Sequence, residues 1–448
     1  MTVSTYWCER ALVDGDVHES VTVAVADGRF TSVAAGQPAP PGSTRLRGVV
    51  IPGLANAHSH AFHRALRSRT QARSGTFWTW RNEMYTAAHR LGPDSYHRLA
   101  RATFAEMALA GIAAVGEFHY LHHQPDGTPY DDPNAMGEAL LMAAAEAGIR
   151  ITLLDALYLH GGLEGSGYVP LEGVQARFGD RSAVSWAERV DRLRAAPGGR
   201  IGAAIHSVRA VDPASMRVVV EWADLVSAPV HAHVSEQRSE NERCLAHHES
   251  SPTALLGEAG ALGPRFSAVH ATHATDRDAK ALASTGSVVC LCPTTERDLG
   301  DGIGPTALLA DAGVPMTVGS DSHAVIDLFE EARAVELDER LQAERRGAHS
   351  PTELLTMATS NGHASLGWPD AGAIAPGNRA DLVAVRLDSV RTAGATTETA
   401  KEAVVFAATA ADVTDVDVEG RPIVADGRHL TIDVAAELAA AVAAITER

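Results

Sequence analysis

Two kinds of hydrophobic pattern divide this chain. Residues 19–34 (ESVTVAVADGRFTSVA) alternate apolar and polar side chains about Asp27-Gly28, the period-two signature of a half-buried hairpin. The same alternation returns in ADLVAVRL (380–387) and in DVTDVDVEGRPIVADGRHL (412–430), the latter about Glu419-Gly420. The two ends together predict one small β-sandwich, assembled from residues 1–48 and 371–448.

Between them, over 49–370, short continuous apolar runs are separated by alanine-rich helical stretches. This is the repeating pattern of a parallel sheet buried on both faces by helices. Eight runs are candidate strands: Val49–Ala57, Ala113–Phe118, Ile151–Ala156, Ile201–Ile205, Pro229–Val234, Ser267–His270, Ser287–Leu291 and Pro315–Gly319. Their number and spacing predict a (β/α)8 barrel of the TIM type. A doubly wound sheet is the alternative, but no G-x-G-x-x-G or phosphate-binding loop stands at a strand end to favour it.

Composition narrows the functional classes. The chain has 448 residues, 45% of them apolar, enough for a sizeable core. A formal charge of −18 argues against a nucleic-acid partner, whose binding needs a basic stripe. The four cysteines (Cys8, Cys244, Cys290, Cys292) lack the spacing of a disulfide framework, which fits a reducing cytoplasm. No apolar run approaches the roughly 18 residues of a membrane span, and the first residues lack a secretory pattern, so neither membrane insertion nor export is expected.

In a barrel of this type chemistry sits at the C-terminal ends of the strands. Those ends are polar here: His58-Ser59-His60, Glu117-Phe118-His119-Tyr120, His206-Ser207-Val208-Arg209, His231 to Glu236, His270 and Ser320-Asp321-Ser322-His323. Residues i and i+2 of a strand share a face, so His58 and His60 can reach one ion in the barrel mouth. Imidazole suits zinc, and His233 and Asp321 would complete a ligand set that leaves one position for water. Glu236, three residues beyond His233, is placed to shuttle a proton, while His270 and Asp321 can orient the water and stabilise charge. Some such barrels bridge two metals with a carbamylated lysine. Lys280 and Lys401 are the only lysines and neither follows a suitable strand, so one zinc per chain is expected. Cys290-Leu291-Cys292-Pro293 reads as a buried strand end, His122, His123, His247, His248 and His89 as ordinary, and His273 and His323 as neighbours of the mouth.

These residues resemble the amidohydrolase superfamily: the H-x-H after an apolar strand, the H-x-x-E, the histidine of strand six and the Ser320-Asp321 near strand eight. The absence of a bridging lysine is similar to its deaminase branch. More narrowly, His58 to His63, Phe77-Trp78-Thr79-Trp80-Arg81, Glu117 to Tyr120, His206 to Arg209, His233 to Glu236, Cys292 to Glu296 and Gly319 to His323 resemble the formimidoylglutamate deiminase family. That resemblance covers nearly the whole chain. It implies hydrolysis of N-formimino-L-glutamate to N-formyl-L-glutamate and ammonia, and a homodimer. It also implies that Arg81, Tyr120, His206 and Arg209 hold the two carboxylates of a small dicarboxylate substrate, a task suited to guanidinium forks. The pattern departs at His63, also placed in the substrate site, where the family carries glutamine, and the stretch from Arg64 to Phe77 is shorter, predicting a differently shaped mouth. Two rivals stand beside this reading. One is a deaminase of the same branch acting on a purine, pterin or triazine. The other is a binding homologue that lost catalysis, which the intact set of His58, His60, His233, Glu236, His270 and Asp321 disfavours.

Overall fold

The computed structural model describes residues 3–71, 77–196 and 198–446. Eight parallel strands form the predicted barrel: Leu54–Ser59, Ile112–His119, Arg150–Leu157, Gly199–Ser207, Val230–Val234, Phe266–His270, Val288–Leu291 and Met316–Val318. Most are almost wholly buried, which is why their sequences read as unbroken apolar runs. Several covering helices begin with proline just after a capping side chain, as at Asp212-Pro213, Ser251-Pro252 and Ser350-Pro351, where the missing N–H is one the helix would leave unpaired anyway.

The first and last strands of this sheet meet through a parallel bridge between Ser59 and Asp321, which closes the barrel. Asp321 N–H donates to the His58 carbonyl at 3.0 Å and His60 N–H to the Asp321 carbonyl at 3.2 Å. One layer lower, the Asn56 side chain does the work of a ladder rung: its Nδ2 donates to Ser320 Oγ at 2.7 Å and its Oδ1 accepts from Ser320 N–H at 2.9 Å. The strands come so close here that a Cβ on Gly319 would lie 2.8 Å from the backbone N and O of His58.

The apolar run Val49–Ala57 proves to be two strands rather than one. Its first half belongs to Thr44–Pro52 in the sandwich sheet, and only Leu54–Ser59 enters the barrel. The chain changes sheets at Gly53, where a Cβ would stand 2.6 Å from the Cβ atoms of both Ala113 and Asp381. Both halves are buried on both faces, so no periodicity in the sequence marks the break.

The sandwich is one eight-stranded sheet folded on itself, with N-terminal strands 44–52, 4–13, 16–26 and 29–34 beside C-terminal strands 382–385, 413–418, 421–425 and 428–429. Asp14-Gly15, Asp27-Gly28, Glu419-Gly420 and Asp426-Gly427 all carry positive φ at both residues, the mirror-image turn whose twist suits a two-residue hairpin. Tyr6 OH donates to Asp417 Oδ1 at 2.9 Å across the folded sheet. Beneath the barrel, buried Arg150 pairs with Asp381 (Nη1 to Oδ1 2.8 Å) and so ties the two units together. No described helix is long and apolar enough to cross a membrane.

Candidate active site

Four side chains from three strand ends converge at the closure of the barrel. His58 Nε2 lies 3.2 Å from His233 Nε2, and His58 Nε2 and His60 Nε2 each lie 3.4 Å from Asp321 Oδ1. His60 Nδ1 donates to the Phe118 carbonyl and His233 Nδ1 to the His206 carbonyl, both at 2.8 Å. Those bonds set the tautomers of His60 and His233 and leave their Nε2 atoms as lone pairs beside Asp321 Oδ1 and His58 Nε2. Tetrahedral ligands at about 2.0–2.1 Å from zinc stand roughly 3.3–3.4 Å apart, so the spacing fits a divalent ion. Asp321 is buried, yet the surrounding imidazoles of His58, His270 and His60 hold its carboxyl well below the usual range.

Backbone strain collects at the same place. Ser235, His270, Ala271, Asp321 and His323 all have φ between +43° and +73° without being glycine. Such residues cost about 1–3 kcal/mol each and persist where their surroundings fix them. Asp321 is fixed by its two backbone bonds to the first strand. Ser235 is fixed by fully buried Glu240, whose Oε1 accepts its N–H at 3.1 Å.

Behind the ligands runs a buried polar network. Glu117 accepts from Ser59 Oγ at 2.6 Å and from Ala61 N–H at 2.7 Å, gripping the chain on either side of His60. Burial pushes the Glu117 carboxyl up to about 8 against those two bonds. His323 Nε2 lies 3.1 Å from Ser59 Oγ and its Nδ1 3.0 Å from Ser320 Oγ, which makes it a support of the segment that carries Asp321.

Above the ligands opens a cavity of about 120 Å³, onto which His60, His63, Arg81, Tyr120, His206, Arg209, His233, Glu236, His270 and Asp321 all face. Every candidate residue named from the sequence borders it except His58, which sits fully buried behind. Residues 72–76 fall outside the described residues, so the short stretch before Phe77 is placed only at its flanks. His270 stands between carboxylates: Nδ1 is 3.3 Å from Glu296 Oε1, and Nε2 is 3.9 Å from both Glu236 Oε1 and Asp321 Oδ2. Burial works against its protonation, but these carboxylates prevail and push it up to about 10.

The polar wall is largely neutral. His63 Nε2 and Tyr120 OH share a hydrogen bond of 2.9 Å. Burial, reinforced by His60, keeps His63 well below its usual range, so it is a neutral hydrogen-bonding group like the glutamine it replaces. Burial beside Arg209 does the same to His206, and burial keeps the Tyr120 phenol protonated. Positive charge in the wall comes from Arg81, over the Tyr85 ring at 5.4 Å, and from Arg209 and Arg243. Arg209 Nε lies 3.0 Å from Glu240 Oε2 and its Nη2 3.5 Å from Glu236 Oε2.

Glu240 and Arg243 carry no motif signal of their own, and Glu296 stands in the sequence only as the end of the stretch Cys292 to Glu296, with no role read for it. Each reads as a charge on a polar helix, and only the fold turns it inward. The same is true of the hairpin Gly162–Glu164/Gly167–Val169 at the cavity's edge, tied down by Tyr168 OH to the carbonyls of Val208 and Val211 at 3.2 Å. Cys292, read as a strand end, is buried near His270 and Asp321. A second cluster, His119, His122 and Asp155, has metal-like spacing, but Asp155 already accepts from Arg189 (2.8 and 2.9 Å) and from Trp186 Nε1 (3.0 Å). A cation has no free oxygen there and would face a guanidinium, so His122 and its neighbours are structural. Lys280 pairs with Asp276 on an exposed helix, and Lys401 contacts Asp16 and the Gly15 carbonyl, both away from the mouth.

Comparison with known proteins agrees with this geometry. The chain is 37% identical over 441 residues to a formimidoylglutamate deiminase from Pseudomonas aeruginosa, covering 95% of this chain and 96% of the relative. It is 30% identical over 388 residues to an 8-oxoguanine deaminase from the same organism, covering 83% and 82%. The crystal structure of an amidohydrolase from Brucella melitensis superposes with a TM-score of 0.90 at 32% identity, covering 99% of each chain. The amidohydrolase family model matches residues 49–423, and with histidine and aspartate groups at the mouth that could hold a metal ion, this chain belongs to the amidohydrolase family as a hydrolase acting on C–N bonds.

Proposed function

We propose that the chain hydrolyses N-formimino-L-glutamate to N-formyl-L-glutamate and ammonia, with one zinc ion held by His58, His60, His233 and Asp321. The observation that carries this reading is that Arg81 and Arg209 line the same cavity as Glu236, His270 and Asp321. A substrate with two carboxylates and a formimino carbon meets both guanidiniums and proton-transfer groups in that cavity. The name and the 37% identity of the Pseudomonas aeruginosa relative support the same substrate. The absence of a lysine near the mouth supports a single ion.

Zinc, when bound, makes a water molecule acidic enough to act as a nucleophile near neutral pH. The chain supplies the rest. Tyr120, His63 and His206 donate neutral hydrogen bonds that hold the substrate without altering its charge. Glu236 takes a proton from the attacking water and delivers it to the terminal nitrogen of the formimino group. His270, held by Glu296, orients the water and balances the charge that develops. Glu236 then carries the remaining hydroxyl proton to the same nitrogen as the C–N bond breaks, so that ammonia leaves and the formyl oxygen is the one that came from water.

A second reading has its own observation, since Trp80, Tyr85, Tyr120, Tyr158 and Phe178 give the cavity an aromatic lining that suits a purine. Ammonia release from the zinc-loaded protein decides between them. Formiminoglutamate is expected to be turned over, guanine not, and a formimino compound without the side-chain carboxylate at least tenfold less efficiently. Turnover of guanine alone would transfer the assignment to the purine reading.

A further inference from the structure

Charge in the cavity does not balance as two carboxylates and two arginines. Arg209 is already compensated, with Glu240 at 3.0 Å and Glu236 at 3.5 Å. A substrate carboxylate that reaches Arg209 therefore meets a guanidinium whose field is largely cancelled. A dianion needs another cation, and the cavity contains one that the sequence motifs do not mention.

Arg243 lies on the helix Arg238–His248, one turn beyond Glu240, and borders the same cavity. Its hydrogen bond is a long one, Nη1 to the Leu163 carbonyl at 3.4 Å on the hairpin at the cavity's edge. Among the described residues no carboxylate lies within ion-pair distance of it. The protein as a whole is strongly acidic, and near the site Arg64 and Arg67 pair with Glu106 and Arg209 with Glu240. An uncompensated guanidinium on a cavity wall is a group whose partner comes with the ligand.

We propose that Arg243 is a specificity-determining residue that binds one carboxylate of a dicarboxylate ligand, exchanging the Leu163 carbonyl for it. This rests on the dicarboxylate reading above but not on the reaction assigned there. Arg243 then supplies the full positive charge that Arg209 lacks, and its seat beside the hairpin lets it sense the length of the ligand.

The test uses glutarate and valerate, which share a five-carbon chain and differ by one carboxylate, with affinities measured by calorimetry on the zinc-loaded protein. The wild type is expected to prefer glutarate. Arg243→Met is expected to weaken glutarate at least tenfold and leave valerate within twofold, with Arg243→Lys recovering part of the loss. Equal losses for both ligands, no loss for glutarate, or a wild type without preference would each overturn the proposal. Ammonia release from formiminoglutamate is measured in parallel. A wild type that binds glutarate through Arg243 but releases no ammonia would refute the reaction and leave Arg243 in place.

Discussion

Glu240 couples two parts of the site that the reaction uses separately. One oxygen holds the strained Ser235 peptide next to Glu236, and the other faces Arg209. In Glu240→Gln the amide oxygen still accepts from Ser235 N–H, so the loop keeps its shape, but the charge opposite Arg209 is gone. At 3.0 Å and an effective dielectric constant near 20, that attraction is about 5 kcal/mol. Arg209 is partly open to cavity water, and Glu236 at 3.5 Å is an alternative partner, so the net effect falls to roughly 2–3 kcal/mol. The guanidinium is then expected to close on Glu236, the proposed proton shuttle, and tie it up in an ion pair. A loss of that size is a roughly 30- to 150-fold fall in kcat/KM for ammonia release. Thermal unfolding is measured beside it and should also show a loss, because Arg209 is left without its buried counter-charge, while a folded circular dichroism spectrum shows that the Ser235 N–H keeps its acceptor. If Glu240→Gln retained kcat/KM within threefold of the wild type, the coupling described here would be wrong.

Glu236→Gln is expected to lower kcat by about 10²–10⁴-fold with metal content unchanged, as measured by elemental analysis beside the rate assay; near-normal turnover would remove Glu236 from the proton path. Gly319→Ala places a methyl group against His58 and should cut bound metal to less than about half of the wild-type stoichiometry while the helical signal by circular dichroism persists. Asp417 gives a pH prediction. Burial beside Asp415, opposed by the Tyr6 hydrogen bond, pushes its carboxyl up to about 6, above the unfolded value near 4. The folded state thus binds the proton more tightly, and Asp417 costs stability that grows as pH rises from about 4 to 6 and stays at most about 3 kcal/mol above that. Asp417→Asn should therefore raise the melting temperature at pH 7.5 and lose the advantage at pH 4; an equal gain at both would point to a cause other than ionisation.

The parts of the fold legible in the sequence are those with local causes. Alternation and paired Asp-Gly or Glu-Gly turns announce the sandwich strands, because a two-residue hairpin demands positive φ at both positions. The barrel strands appear as apolar runs, and the candidate metal-binding residues stand at their ends. The split at Gly53 is not legible, because it depends on two sheets packed against a residue with no side chain. Glu240 and Arg243 are hidden for a related reason. The segment RSENERCLAHH has almost no apolar face, so it looks like a solvated helix, and nothing local says that one side of it lines a cavity. His63 shows the opposite case, a departure visible in sequence whose effect burial removes.

The barrel's seam has a consequence for how the chain becomes functional. The strands that meet there, Leu54–Ser59 and Met316–Val318, are the most distant in sequence of any neighbouring pair in the barrel, so their union carries a large loop-closure cost. His58 and His60 lie on one edge of that seam, Asp321 on the other. An ion bound by all three is a clasp as well as a reagent, and it completes only when the last edge has docked. Hydrogen exchange at the His60 and Asp321 amides, which face each other's strand, should therefore slow on metal addition more than exchange in the sandwich, making assembly and activation of this hydrolase a single late event.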